Sequence, residues 1–240
     1  MTRTDSAGIT AIADGAWTVP APLRFLGVKL DTRMTVLRLG DGGLVLFSPV
    51  PYVEALGQAV TALGPVRGIV APNALHHLYV GEWMRAYPEA LSFAAEGVAA
   101  KHPDLSFTHT LGPAFDAAFG ADILRVSVDG MPGLCESIFV HRPSMTLVAT
   151  DLCFFMPHAT GLARVFATIM GIRRRPRVEP MFRALIQDRA ALVTSLAPLR
   201  ELQIEHLSMC HHAVMSEGAH DALQDVLDQL GVPPTPGAQT

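Results

Sequence analysis

A chain of 240 residues, 50% hydrophobic and 17% charged, holds enough apolar material for one large domain or two fused halves. Its net charge of −4, without a clustered excess of Lys and Arg, gives no footprint for nucleic acid. No apolar run reaches the length of a membrane span and the start lacks a signal-peptide core, so a cytoplasmic protein with no transmembrane segment is expected.

Residues 1–16 are expected to be a flexible N-terminus, ahead of one folded unit over residues 17–230. Residues 33–39 and 44–47 read as strands flanking Gly40-Asp41-Gly42-Gly43, a hairpin signal because Gly and Asp tolerate positive φ. Val53, Leu56, Val60 and Leu63 recur at helical spacing, and Gly64-Pro65 ends that helix. The apolar run 66–71 reads as a strand covered on both faces. A short helix is predicted over 81–87, stopped before Pro88, and another over 94–101.

Within 106–128 the best strand is 123–128. Residues 137–140 and 145–150 form a second hairpin through His141-Arg142-Pro143-Ser144. A mostly helical stretch runs from 162 to 199, broken at 173–180, with a second helix over 181–195. Residues 202–210 return to strand, and 219–230 form a helix with Leu223, Val226, Leu227 and Leu230 on one face. Residues 231–240, rich in proline, are expected to be a flexible tail.

Three of these strands run into side chains able to hold a metal: 66–71 into His76-His77, 145–150 into Asp151, and 202–210 into His211-His212. Ligands in α/β folds gather beyond the carboxyl ends of strands, so these termini are expected to converge on one cleft. The second hairpin returns Glu136 to the same end as Asp151 and leaves His141 at the far end. Plainer roles compete. One of two adjacent histidines is commonly structural, and a carboxylate after a strand can cap the next turn. Cys135, Cys153 and Cys210 are odd in number and widely spaced, which predicts reduced thiols. Arg173, Arg174, Arg175 and Arg177 read either as a solvated loop or as a site for an anionic substrate or lipid surface. No phosphate-binding glycine loop and no Gly-x-Ser-x-Gly elbow is present.

Arg33-Met34-Thr35-Val36, Phe47-Ser48-Pro49-Val50-Pro51, Ala71-Pro72-Asn73 with His76-His77, and the run from Thr146 to Leu152 resemble an uncharacterised branch of the metallo-β-lactamase superfamily. The resemblance spans residues 17–230 and implies an α/β fold, a four-layer αββα sandwich with its site at one edge. In that family the loop after the strand reads His-x-His-x-Asp-His and binds one or two metal ions. Here Asn73 and Leu75 stand where the first two histidines would, His77 where the aspartate would, and Leu78 where the last histidine would. Leu134 replaces a further histidine, with Glu136 nearby, whereas Asp151 and His211 match the bridging carboxylate and the final histidine.

A remodelled mononuclear site is therefore expected in place of a dinuclear one. Its ligands would be His76 or His77, Asp151 and His211, with Glu136 in reserve, around one divalent metal, zinc or iron. Such a centre suits hydrolysis of an ester, amide or phosphoester in a small-molecule substrate. The opposing expectation is a metal-free member of the fold that serves as a binding or scaffolding module. Residues 154–180, apolar and basic, suggest an amphipathic or anionic ligand.

Overall fold

The computed structural model describes residues 8–25, 28–29, 31–211 and 213–234. His212, the first seven residues and the tail from 235 onward lie outside these described residues. In chain order the first elements are β1 (Thr10–Ala13), β2 (Ala16–Ala21), β3 (Arg24–Phe25), β4 (Val28–Lys29), β5 (Thr32–Arg38), β6 (Leu44–Phe47), α1 (Glu54–Leu63), β7 (Val66–Ala71), α2 (Val80–Ala86), β8 (Leu91–Ala94), α3 (Val98–Lys101) and β9 (His109–Thr110). The chain continues through α4 (Pro113–Phe119), β10 (Ile123–Ser127), β11 (Ser137–His141), β12 (Thr146–Ala149), α5 (Gly161–Ile169), α6 (Pro180–Ala184), α7 (Arg189–Leu196), β13 (His206–Met209), β14 (Val214–Met215) and α8 (Ala219–Leu230).

Two sheets carry the architecture: one ordered β1-β2-β5-β6-β7-β8-β9, the other β10-β11-β12-β13-β14. Strand alternation explains how they stack, because successive side chains leave a strand on opposite faces. In β6, Leu44 and Leu46 pack with Leu56 and Val60 of α1 and Trp83 of α2, whereas Val45 and Phe47 join Phe93, Phe115 and Phe139 between the sheets. In β12, Val148 joins that inner layer, while Leu147 and Ala149 pack with Leu192 of α7 and with Leu223 and Val226 of α8. Three apolar layers thus separate helices, sheet, sheet and helices, which is the expected four-layer αββα sandwich.

Several boundaries differ from expectation for physical reasons. The stretch read as a loose N-terminus contains β1, which pairs antiparallel with β2, and Ile9 is buried in the core. The helix expected over 94–101 is shortened to α3. The preceding residues add β8 to the parallel ladder beside β7, and Gly97, at φ 78, separates the two elements. The helix expected over 181–195 is interrupted because the amides of Gln187 and Asp188 bond to the Gly130 carbonyl, after which the Asp188 side chain caps α7 at Ala191. The final strand, expected over 202–210, is trimmed to β13 because its pairing with β12 runs only from Thr146–His206 to Ala149–Met209.

At the far end of the β11–β12 hairpin His141 ties the sheets together, its Nε2 2.8 Å from the Arg38 carbonyl and its Nδ1 2.7 Å from Ser144 Oγ. A carbonyl only accepts, so Nε2 carries the hydrogen and Nδ1 accepts from the Ser144 hydroxyl. Burial lowers the His141 pKa below its ordinary 6.5. An unfolded chain therefore binds this proton before the folded one does, and the contribution is full above pH 6.5 and lost as pH falls toward the depressed value. His141→Gln should remove up to about 1.4 kcal/mol per pH unit of acid sensitivity between pH 7 and 5. Denaturation midpoints with the same pH slope in both proteins would contradict this.

Candidate metal centre

Four strand ends, one more than the sequence suggested, meet at one edge of the sandwich. Parallel neighbours β6 and β7 end at Phe47 and Ala71, and parallel neighbours β12 and β13 end at the paired residues Ala149 and Met209. Asp151 and His211 therefore each stand two residues beyond the same rung. Ser48 and the loop carrying Asn73 and His76 approach from the other sheet, and a buried 2.8 Å hydrogen bond between Thr35 and Ser208 links the sheets.

His76, Asp151 and His211 are brought together, with one ligand atom from each lying within 4.8 Å of the others. His76 Nε2 lies 3.4 Å from Asp151 Oδ2, and His211 Nε2 lies 3.5 Å from Asp151 Oδ1. Each imidazole is held by its other nitrogen. Nδ1 of His76 lies 2.6 Å from Ser48 Oγ, and Nδ1 of His211 lies 3.0 Å from the Asp31 carbonyl oxygen. Ser48 adopts φ 52, a left-handed backbone uncommon outside glycine and concentrated where side chains are held for function. Phe154 stacks on the His211 ring, with centroids 5.1 Å apart and planes 6° from parallel.

Asp151 is fixed from behind. Asn73 Nδ2 donates to Asp151 Oδ2 at 2.7 Å and to Thr150 Oγ1 at 2.9 Å, while Asn73 Oδ1 accepts from the amides of Leu75 and His76. That single amide joins the turn carrying His76 to the strand end carrying Asp151. Asn73→Ala should cost about 1–3 kcal/mol, because buried donors and acceptors lose their partners together. Urea denaturation would read the loss, and an unchanged midpoint would refute the assignment.

Burial by itself would lower the His76 pKa, but Asp151 and then Cys210 raise it well above the ordinary value. Burial would likewise raise Asp151, yet His76 and His211 hold its carboxyl well below the usual carboxylate range. The edge thus stabilises a carboxylate with positive charge beside it.

Glu136 and His77 fall outside this group of three. Glu136 Oε1 accepts from the Thr150 amide, the Thr150 hydroxyl and the Asp151 amide at 2.6–3.0 Å, so it pins the strand end that presents Asp151. Its Oε2 is buried without a partner among the described residues, and burial, then the charge of Asp151, push the carboxyl up to about 7. His77 turns away and packs its ring 4.2 Å from that of His102; burial and the neighbouring His102 lower its pKa. Of the adjacent histidines, His76 is therefore the one facing Asp151.

Sequence reasoning missed Ser48, the positioning role of Asn73, and Glu179, which is buried and raised to about 7 by burial and by the charge of Asp151. Asn73 did carry a local signal, since Asn after a strand favours a turn closed on its own side chain. Ser48 and Glu179 carried no signal of such a role, because only the packed fold brings Ser48 to His76 and Glu179 into the field of Asp151.

The sequence profile of a family described as a domain of unknown function, DUF4336, matches residues 13–166. The chain belongs to that family. Comparison of the DUF4336 chain with curated proteins returns no match. Among solved structures it is similar to a metallo-β-lactamase from Pontibacter korlensis, at 13% identity and TM-score 0.59 over 97% of this chain and 100% of that one. A metallo-β-lactamase from Erythrobacter litoralis with β-mercaptoethanol in its active site aligns at 12% identity and TM-score 0.61 over 95% and 100%. The metallo-β-lactamase FIM-1 from Pseudomonas aeruginosa, in its mono-zinc form, aligns at 12% identity and TM-score 0.58 over 94% and 96%. This DUF4336 protein therefore has the metallo-β-lactamase superfamily fold, and its buried His-Asp-His cluster is compatible with a metal site.

Proposed function

We propose that the protein is a metal-dependent hydrolase in which His76, Asp151 and His211 hold one divalent cation, zinc or iron, and which acts on a small-molecule substrate. The observation that carries this reading is the hydrogen bond of His211. Its Nδ1 faces a carbonyl oxygen, which only accepts, so in the neutral ring the bare Nε2 lone pair points toward Asp151 Oδ1 at 3.5 Å. A lone pair facing a buried carboxylate is repulsive unless a proton or a metal ion lies between them, and two imidazoles with one carboxylate make a donor set suited to zinc or iron. The grouping of three ligand atoms within 4.8 Å of one another supports a single ion.

A divalent ion held there supplies Lewis-acid polarisation and acidifies water. The protein's own residues do the rest. Ser48 and the Asp31 carbonyl orient the two rings through their distal nitrogens, and the carbonyl, which only accepts, also sets the tautomer of His211. Asn73 and Glu136 hold the carboxylate and its strand end, and Phe154 covers the His211 ring against water. Leu75 and Leu78, exposed on the loop that carries His76, offer an apolar rim to the non-reacting part of a substrate. The free thiols of Cys135, Cys153 and Cys210 fit a reducing, cytoplasmic setting.

Elemental analysis of protein purified without chelator tests the proposal. About one equivalent of zinc or iron is expected, falling at least about tenfold in His76→Ala and His211→Ala and retained in His77→Ala. A folded wild-type protein without metal would sink the proposal and favour the binding or scaffolding module.

A further inference from the structure

Helix α5 uses its amphipathic character in reverse. The face packed inward carries Ala163 and Ala167, both buried, while its large aliphatic side chains point to solvent, with Leu162 78%, Val165 56% and Ile169 78% exposed. At 3.6 residues per turn these three fall within about 60° of one another and form a continuous stripe. Single exposed apolar residues need no explanation, but three on one helical face do.

The surrounding charge is the second observation. From residue 161 to 187 the chain carries six arginines, Arg164, Arg173, Arg174, Arg175, Arg177 and Arg183, against one acid, Glu179, in a protein of net charge −4. Glu179 is buried. Arg175 pairs with Asp225 at 3.3 Å, whereas Arg164 and Arg174 are exposed with no acidic partner among the described residues.

We propose that α5 and the arginine segment after it form an interfacial docking site for an anionic lipid surface. The stripe would enter the acyl boundary while the arginines neutralise phosphate headgroups, the combination by which amphipathic helices bind in the plane of a bilayer. Charge decides against a second copy of the chain as the occupant. Apposing two such faces would bring unpaired arginines toward one another, and a stripe of three side chains is small for a stable dimer interface. Because α5 follows the loop that carries Phe154, docking there would place the His76–Asp151–His211 edge near the interface. The proposal does not depend on a metal at that edge.

Vesicle co-sedimentation tests it, comparing phosphatidylcholine alone with phosphatidylcholine containing roughly one-third phosphatidylglycerol. The full-length protein should bind the anionic vesicles, lose binding as salt rises, and leave neutral vesicles unbound. Removing the charge at Arg164 and Arg174 with serine should weaken partitioning about fivefold per residue, and Leu162→Ser with Ile169→Ser should abolish it. These sites are exposed, so unchanged thermal unfolding and unchanged metal content would confirm intact variants. Absence of binding to anionic vesicles, or binding indifferent to the leucine and isoleucine changes, would overturn the proposal. So would a wild-type dimer in sedimentation velocity that the same changes dissociate.

Discussion

Asp151→Asn is expected to abolish metal retention and to destabilise the metal-free fold together. The carboxylate faces the Nε2 atoms of His76 and His211 at 3.4 and 3.5 Å, and its own oxygens are buried. An amide keeps the size of the side chain and an oxygen able to accept from Asn73, but it removes the negative charge on which both imidazoles depend. Loss of Asp151 as a proposed ligand should weaken metal affinity by well over the 10–100-fold typical of outer hydrogen-bond partners. Breaking a buried ion pair by removing one partner costs about 3–5 kcal/mol. Metal titration followed by urea denaturation of chelator-treated protein would measure both. Equal metal content with equal stability in the variant would show that Asp151 neither binds an ion nor anchors the edge.

Phe139→Ala should produce the other large effect, far from this chemistry. Phe139 is fully buried between the sheets, with its ring 4.5 Å from Phe47 and 5.2 Å from Phe115. Five aromatic rings, with Phe93 and Phe119 as the others, fill this layer from β6, β8, α4 and β11, so truncation leaves a cavity that three separate elements would have to collapse to close. A loss of about 3–5 kcal/mol is expected, which corresponds to roughly 6–20 °C in Tm for a domain of this size. Leu162→Ala, on the exposed face of α5, should stay within about 0.5 kcal/mol. A change of under about 1 kcal/mol for Phe139→Ala would mean that the inter-sheet layer is not the cohesive core described.

How much of this was legible beforehand follows from how local each cause is. The helix at 219–230, the strand at 66–71 and both hairpins were readable because periodicity and turn residues within a dozen positions specify them. In contrast β8, β9 and α4 were not, since β8 and β9 exist through pairing with a distant parallel strand and α4 through Phe115 and Phe119 filling the inter-sheet space. Asp151 and His211 could be picked out because each follows an apolar strand. Choosing between His76 and His77 was beyond any sequence pattern, as neighbours in a loop share no periodicity. The choice rests on Ser48, from another strand, and on Asn73 closing the turn beneath them.

The shared rung of β12 and β13 has a consequence for how such a site can be altered. Asp151 and His211 are indexed by one parallel register, so inserting a single residue before either would carry its side chain to the opposite face and dismantle that half of the centre. His76 is indexed by a turn that Asn73 closes on itself, and a turn can be rebuilt without touching a ladder. The edge is therefore a fixed socket with an exchangeable cap. Grafting a different loop between Asn73 and Val80 should change the number and kind of donors offered while Asp151 keeps its bond to Asn73 and His211 keeps its place on the ladder. The route to a new donor set at this edge runs through the six residues from Ala74 to Tyr79, with the sandwich left as it is.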